Sequence, residues 1–161
     1  MVTATQITRE APFLEDFRRR FLQAGFDLTK QPGPTTTPRE IAGLDALQKG
    51  IIKEFKYLNN IQKEIKFGNN TRFDFLIFQK NKEIFLEVKN VTLSRKKGIA
   101  EFPDAITTRG VKHIKELVKA SKKDYEIFLL FVVQRNDCNQ LVIAKDIDLE
   151  YYKSLIKAVK T

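Results

Sequence analysis

Apolar residues fall at two different periods along this chain, and the change from one to the other divides it into elements. Leu47, Ile51, Phe55 and Leu58 recur at helical spacing and predict a helix over 46–58. Residues 61–67 alternate as a short strand, and Gly68, Asn69 and Asn70 read as a turn. Two further strands are predicted over 72–78 and 83–93, joined by the polar segment 79–82. Thr107 or Thr108 can cap a helix running to about Ser121, with Val111, Ile114, Leu117 and Val118 inward. The run EIFLLFVV at 126–133 is near-continuously apolar, as expected of a strand buried on both faces. Leu149, Tyr152, Leu155, Ile156 and Val159 form one stripe and predict a last helix over 148–159. The predicted order is α-β-β-β-α-β-α, an α/β (α+β) domain with a mixed sheet flanked by helices.

Residues 1–45 differ in style. Lysine is sparse there and becomes frequent only later in the chain. Pro12 suits a first helical turn, and Phe13, Leu14, Phe17, Phe21 and Ala24 follow at helical spacing, with Gly25 as the stop. Arg18, Arg19 and Arg20 lie on its polar side, so this helix either contacts phosphate or simply packs on its own domain or a neighbour. A Pro/Thr-rich stretch at 31–38 reads as an extended linker. The chain is thus divided into an N-terminal helix plus linker (1–45) and a domain (46–161).

Composition narrows the function classes. The 161 residues suffice for one ordinary domain, and 42% hydrophobic content argues against wholesale disorder. Thirteen phenylalanines and no tryptophan mean that Phe rings supply much of the core volume. The net charge of +9 favours an anionic partner, nucleic acid first (DNA, with RNA also possible) and an anionic membrane surface second, although lysine used as a general solubilising residue gives the same number. Cys138 and His113 stand alone in their types, which excludes an internal disulfide, a cysteine cluster or a His-rich metal site within one chain. No stretch of about 18 apolar residues suggests a membrane span, and no signal peptide is read at the N-terminus, so a cytoplasmic location is expected.

The chemistry centres on the 72–93 hairpin. A two-residue turn at Lys80-Asn81 pairs Gln79 with Lys82 and Phe78 with Glu83, and the same register sets Asp74 opposite Glu87. Lys89, two residues on, points to the same face as Glu87. Two carboxylates roughly 5 Å apart repel by about 3 kcal/mol at an effective dielectric of 20. A divalent cation, Mg²⁺ or Mn²⁺, removes that cost, with Asp74, Glu87 and the Val88 carbonyl as candidate ligands. Lys89 is then placed to orient water or stabilise charge at a phosphodiester. Asp74, Glu87 and Lys89 are therefore candidate catalytic residues. E-x-K is a common tripeptide in so charged a chain, and Lys89 alone can neutralise Glu87; a second copy at 64–66 has no aspartate on a preceding strand.

Beyond this hairpin, FPDA (102–105) precedes the helix whose outer face carries Arg109, Lys112, His113 and Glu116. With Arg72, the residues Arg109, Lys112 and His113 are candidate nucleic-acid contacts. A solvated basic face and a locally hydrogen-bonded His113 are the alternative.

Four ordered blocks, TRFDFL (71–76), EVKNVTL (87–93), FPDAITTRGVKHIKEL (102–117) and FVVQR (131–135), make the chain resemble the sugar fermentation stimulation protein A family. That resemblance implies a restriction-endonuclease-like, PD-(D/E)xK core, with Asp74, Glu87 and Lys89 at the matching site positions. It implies a DNA-binding role linked to regulation of sugar utilisation. The Pro103-Asp104 pair is a family hallmark that follows E-x-K and is not the metal-site aspartate. The OB-like β-domain expected at the N-terminus of the family is not matched by residues 1–50. Two readings follow: a Mg²⁺-dependent nuclease that binds DNA, or a non-catalytic DNA-binding regulator on the same fold. A protein-interaction module is a third.

Overall fold

The computed structural model describes residues 2–4, 47–48, 52–55, 57–68, 70–133, 135 and 137–159. The helix expected over 12–24 and the linker at 31–38 lie outside the described residues. The elements run β1 (Val2–Ala4), β2 (Asn60–Phe67), β3 (Thr71–Gln79), β4 (Lys82–Val91), β5 (Leu93–Lys96), β6 (Gly98–Phe102), α1 (Thr108–Ser121), β7 (Glu126–Val133), β8 (Cys138–Ile143) and α2 (Leu149–Val159). A five-stranded mixed sheet has the order β1-β7-β4-β3-β2, and a three-stranded sheet has the order β5-β6-β8. β7 runs parallel to β4, and the β4–β3–β2 meander is antiparallel. The β3–β4 register is the expected one, with Gln79 opposite Lys82 and Phe78 opposite Glu83.

The EIFLLFVV run is an interior strand because both its faces are covered. Ile127, Leu129 and Phe131 join the core beneath α1 and α2, which also holds Val111, Ile114, Leu117, Tyr151 and Leu155. Phe128, Leu130 and Val132 face the other way, onto Leu47, Ile52 and Phe55. Fully burying a Leu, Ile or Phe side chain contributes roughly 1.5–3 kcal/mol, so the two clusters together hold the sheet as the middle layer of a sandwich.

Two expectations need correction. The helix expected over 46–58 appears, among its described residues, as helical Leu47 and Gln48 followed by a 3₁₀ turn at Lys53–Phe55. Its apolar residues are nevertheless core, since Leu47, Ile52 and Phe55 are all buried. The strand expected over 83–93 ends at Val91, and Leu93 opens a separate strand in the second sheet. That sheet was not legible in the sequence. β5 carries three polar residues out of four, and β6 pairs with β8 across some forty residues of chain.

The TTRG segment has a packing explanation. Thr107 caps α1 by accepting from the Gly110 N–H at 3.0 Å, and the buried Asp148 carboxylate accepts from the N–H groups of Thr107 and Tyr151. A Cβ on Gly110 would lie 2.8 Å from the Thr107 side chain and 3.0 Å from the Tyr151 ring. Gly110→Ala gains roughly 1 kcal/mol in helix propensity, but overpacking costs about 1–3 kcal/mol and the cap is disturbed as well. We expect a net loss of stability, read as a lower urea midpoint; an equal or higher midpoint would show that the contact relaxes freely.

Candidate active site and basic face

Both strands beside β3 step around Asp74. The β2–β3 ladder pairs Lys63 with Phe75 and Ile65 with Phe73 but passes over Glu64 and Asp74, and Glu64 has a φ of 50°. The β3–β4 ladder runs from Gln79–Lys82 to Phe75–Leu86 and stops one pair short of Asp74–Glu87. The sheet changes face at this level. Ile61, Phe75 and Ile77 belong to the Leu47 side, whereas Ile65, Phe67 and Phe73 belong to the α1 side. Strict alternation would have kept all of these odd-numbered residues on one face.

The distortion aims the Asp74 carboxylate at the backbone of β4. Its Oδ2 accepts from the Val88 N–H at 2.7 Å. In the hairpin register Val88 lies opposite Phe73, so the side chain takes a donor that an undistorted ladder would use. Asp74 and Glu87 are therefore neighbours on adjacent strands, as expected, but not an ordinary cross-strand pair.

Glu87 is fully buried at 0% exposure. Its Oε1 accepts from Lys89 Nζ at 2.7 Å and lies 2.5 Å from His113 Nδ1. Arg109 Nε donates to His113 Nε2 at 3.4 Å. With Nε2 accepting, Nδ1 carries the ring proton and donates it to Glu87. Arg109, His113, Glu87 and Lys89 thus form one chain of hydrogen bonds from the surface of α1 to the interior of β4. Burial pushes the Glu87 carboxyl upward, but the His113 hydrogen bond and the Lys89 charge outweigh it and hold the group below the usual carboxylate range.

Three of the four candidate nucleic-acid residues remain at the surface. Arg72, Arg109 and Lys112 are exposed, while His113 is buried beneath them. All four line one cavity of about 450 Å³, together with Lys66, Asn70 and Thr71. Asp104 is exposed in the loop before α1, away from these contacts. Sequence reasoning missed Tyr151, whose ring is fully buried and whose hydroxyl has no hydrogen-bond partner. Burial, with Glu87 and Asp148 nearby, raises its pKa. The stripe read along this helix (Leu149, Tyr152, Leu155, Ile156, Val159) omits it; the structure instead buries Tyr151, Leu155 and Ala158 and leaves Leu149, Ile156 and Val159 exposed, so the inner face of α2 is turned from the expected one.

The residues present suit a divalent cation in part. Glu87 Oε2 is buried without a hydrogen-bond partner, an orphaned acceptor that a cation would satisfy. The neighbouring carboxylate is Asp74, held by the Val88 N–H, and Mg²⁺ commonly uses one or two carboxylates while keeping several waters. Among the described residues, no group of three or more His, Cys, Asp or Glu side chains is placed to hold a metal.

The model of the family described as "Sugar fermentation stimulation protein RE domain" matches residues 37–161. The chain belongs to this family. It is 49% identical over 114 residues to a sugar fermentation stimulation protein homolog of Pelagibacter ubique (strain HTCC1062), a match covering 71% of this chain and 49% of that protein. A homolog from Ruegeria sp. (strain TM1040) is 44% identical over 107 residues, covering 66% of this chain and 46% of its own length. The chain spans about half the length of these curated relatives. Its fold matches that of Pyrococcus furiosus SfsA, solved in complex with Ca²⁺, with a TM-score of 0.70 and 27% identity over 76% of this chain and 52% of that one. The restriction-endonuclease-like core, a mixed sheet flanked by helices, is thereby established. Among the described residues, no helix is long and apolar enough to cross a membrane.

Proposed function

We propose that the chain is a DNA-binding module that uses the restriction-endonuclease-like fold to hold a nucleic-acid backbone, in a regulatory role within its family; RNA is the second substrate class. One observation carries this reading. Arg72, Arg109 and Lys112 converge with Lys66 on a single cavity that, among the described residues, is lined by no carboxylate. Phosphate contacts of this kind supply affinity that is independent of sequence and sensitive to salt.

A second reading, phosphodiester hydrolysis at Asp74, Glu87 and Lys89, is favoured by the orphaned Glu87 Oε2. A bound Mg²⁺ or Mn²⁺ would supply Lewis acidity toward a phosphoryl oxygen there. The chain's own residues would do the rest. Asp74 and Glu87 would hold the cation, with the Val88 carbonyl beside them. Lys89 would place positive charge next to the reacting phosphate. His113 keeps Glu87 ionised and fixes its orientation.

Single- and double-stranded DNA and RNA, incubated with the protein with and without Mg²⁺ or Mn²⁺, separate the two. Salt-sensitive binding with intact substrate is the expected result. Metal-dependent cleavage that disappears in Lys89→Ala, with binding retained, would establish the second reading. Absence of nucleic-acid affinity at low salt would reject both.

A further inference from the structure

The cavity beside α1 does not end at Lys112. A second recess of about 450 Å³ is lined by Phe67, Gly68, Asn70, Thr71, Lys112, Glu116, Lys119 and Lys123, and so shares Asn70, Thr71 and Lys112 with the first. Among the described residues, the two recesses together place Lys66, Arg72, Arg109, Lys112, Lys119 and Lys123 against one carboxylate, Glu116.

These cations are held in place in ways that leave charge to offer. Lys112 Nζ donates to the Asn70 carbonyl at 2.7 Å, a neutral partner. Lys123 lies over the Phe67 ring at 5.5 Å. Arg109 donates to the His113 ring rather than to a carboxylate. Lys119 pairs with Glu116, and Arg72 makes only a long, exposed contact of 3.4 Å with Glu64. Exposed pairs such as these are weak and readily give way to a phosphate.

The row has a direction and a length. Arg109, Lys112 and Lys119 lie along one helix, so they span about 15 Å at 1.5 Å per residue. At its Arg109 end the row reaches His113 and, through it, the buried Glu87. The polar side chains of the two recesses are chiefly point charges, which contact phosphate rather than read base edges.

We infer that one nucleic-acid strand runs along the outer face of α1, from Lys123 to Arg109, held by its phosphates without base readout. The inference rests on the DNA-binding reading and adds the path, polarity-neutral and sequence-tolerant, that the strand takes. Lys112 lines both recesses and is the residue the path cannot avoid.

The test is fluorescence anisotropy with labelled oligonucleotides of three unrelated sequences, across a salt series. Lys112→Ala is expected to reduce the slope of log K against log salt by about 0.9, and Lys112→Ala with Lys119→Ala by about 1.8, equally for every sequence. Lys82→Ala, at the far end of the β3–β4 hairpin and paired with Glu126, is expected to leave the slope unchanged. Thermal midpoints of the variants verify that folding is intact. DNA binding by the parent protein with unaltered slopes in the Lys112 variants would overturn the path while leaving the DNA-binding reading in place. A tenfold spread in affinity among the three sequences would overturn sequence tolerance. No binding by the parent protein would remove the reading on which both depend.

Discussion

Glu87→Gln lowers the thermal midpoint by roughly 6–20 °C, the largest effect expected of a nearly isosteric change in this protein. Glu87 has no exposure, and Lys89 beside it is only 7% exposed, so neither charge has bulk water to fall back on. Removing one member of a buried pair costs about 3–5 kcal/mol, because the other charge is left uncompensated. In a chain of this size each kcal/mol corresponds to about 2–4 °C. The reverse change, Lys89→Met, is milder. Glu87 then keeps its hydrogen bond from the His113 ring. The double variant Glu87→Gln with Lys89→Met should be more stable than Glu87→Gln alone, since the stranded ammonium is gone. Acid gives an independent readout. The Glu87 carboxyl is held below its ordinary value of 4.5, so its contribution to stability is complete above that pH and is lost as pH falls toward the folded-state value. Glu87→Gln removes that part of the acid slope. An unchanged midpoint and an unchanged acid slope in Glu87→Gln would mean that the Arg109–His113–Glu87–Lys89 chain does not form in solution.

Much of this site was legible because its chemistry sits on local signals. The Lys80-Asn81 turn fixes the β3–β4 register, and the register alone brings Asp74 beside the E-x-K segment. Thr107 and the apolar spacing of Val111, Ile114 and Leu117 define α1, while EIFLLFVV defines an interior strand. What escaped was non-local or depended on a broken rule. The β5–β6–β8 sheet is joined by a parallel pair far apart in the chain, which no local period records. The outer pattern Phe73, Phe75, Ile77 reads as one face of a strand, yet Phe73 packs on the opposite side from the other two. The expectation that His113 shares the outer face with Arg109, Lys112 and Glu116 fails, while its local hydrogen bonding, to Arg109 four residues back, is present. A helix turns about 100° between neighbours, and that single step carries His113 from the exposed face to the buried one. The local rules therefore fail at the level of Asp74 and Glu64, beside the residues that carry the chemistry.

Asp74→Asn and Asp74→Ala should separate the structural role of this residue from its charge. The Asp74 carboxylate accepts the Val88 N–H at 2.7 Å, inside a sheet whose two adjoining ladders both leave Asp74 out. A hydrogen bond to a charged group is worth about 1.5–3 kcal/mol, and a buried N–H left unpaired costs about 1–3 kcal/mol. Asp74→Ala should therefore lose about 2–3 kcal/mol and let the strand relax toward an ordinary pairing with β4. Asparagine keeps a carbonyl oxygen of the same reach, so Asp74→Asn should lose less than about 1.5 kcal/mol. Divalent-cation affinity should order the two differently. Groups that merely orient metal ligands are worth about 10–100-fold in affinity, and a carboxylate ligand should be worth no less. Both variants should then lose at least tenfold in Ca²⁺ or Mn²⁺ affinity by calorimetry, with DNA binding at low salt retained. Parallel loss of stability and metal affinity in Asp74→Ala, with both retained in Asp74→Asn, would assign Asp74 to the fold alone. Loss of metal affinity in a well-folded Asp74→Asn would show that the two broken ladders serve to present a carboxylate, whose charge and second acceptor oxygen the asparagine lacks.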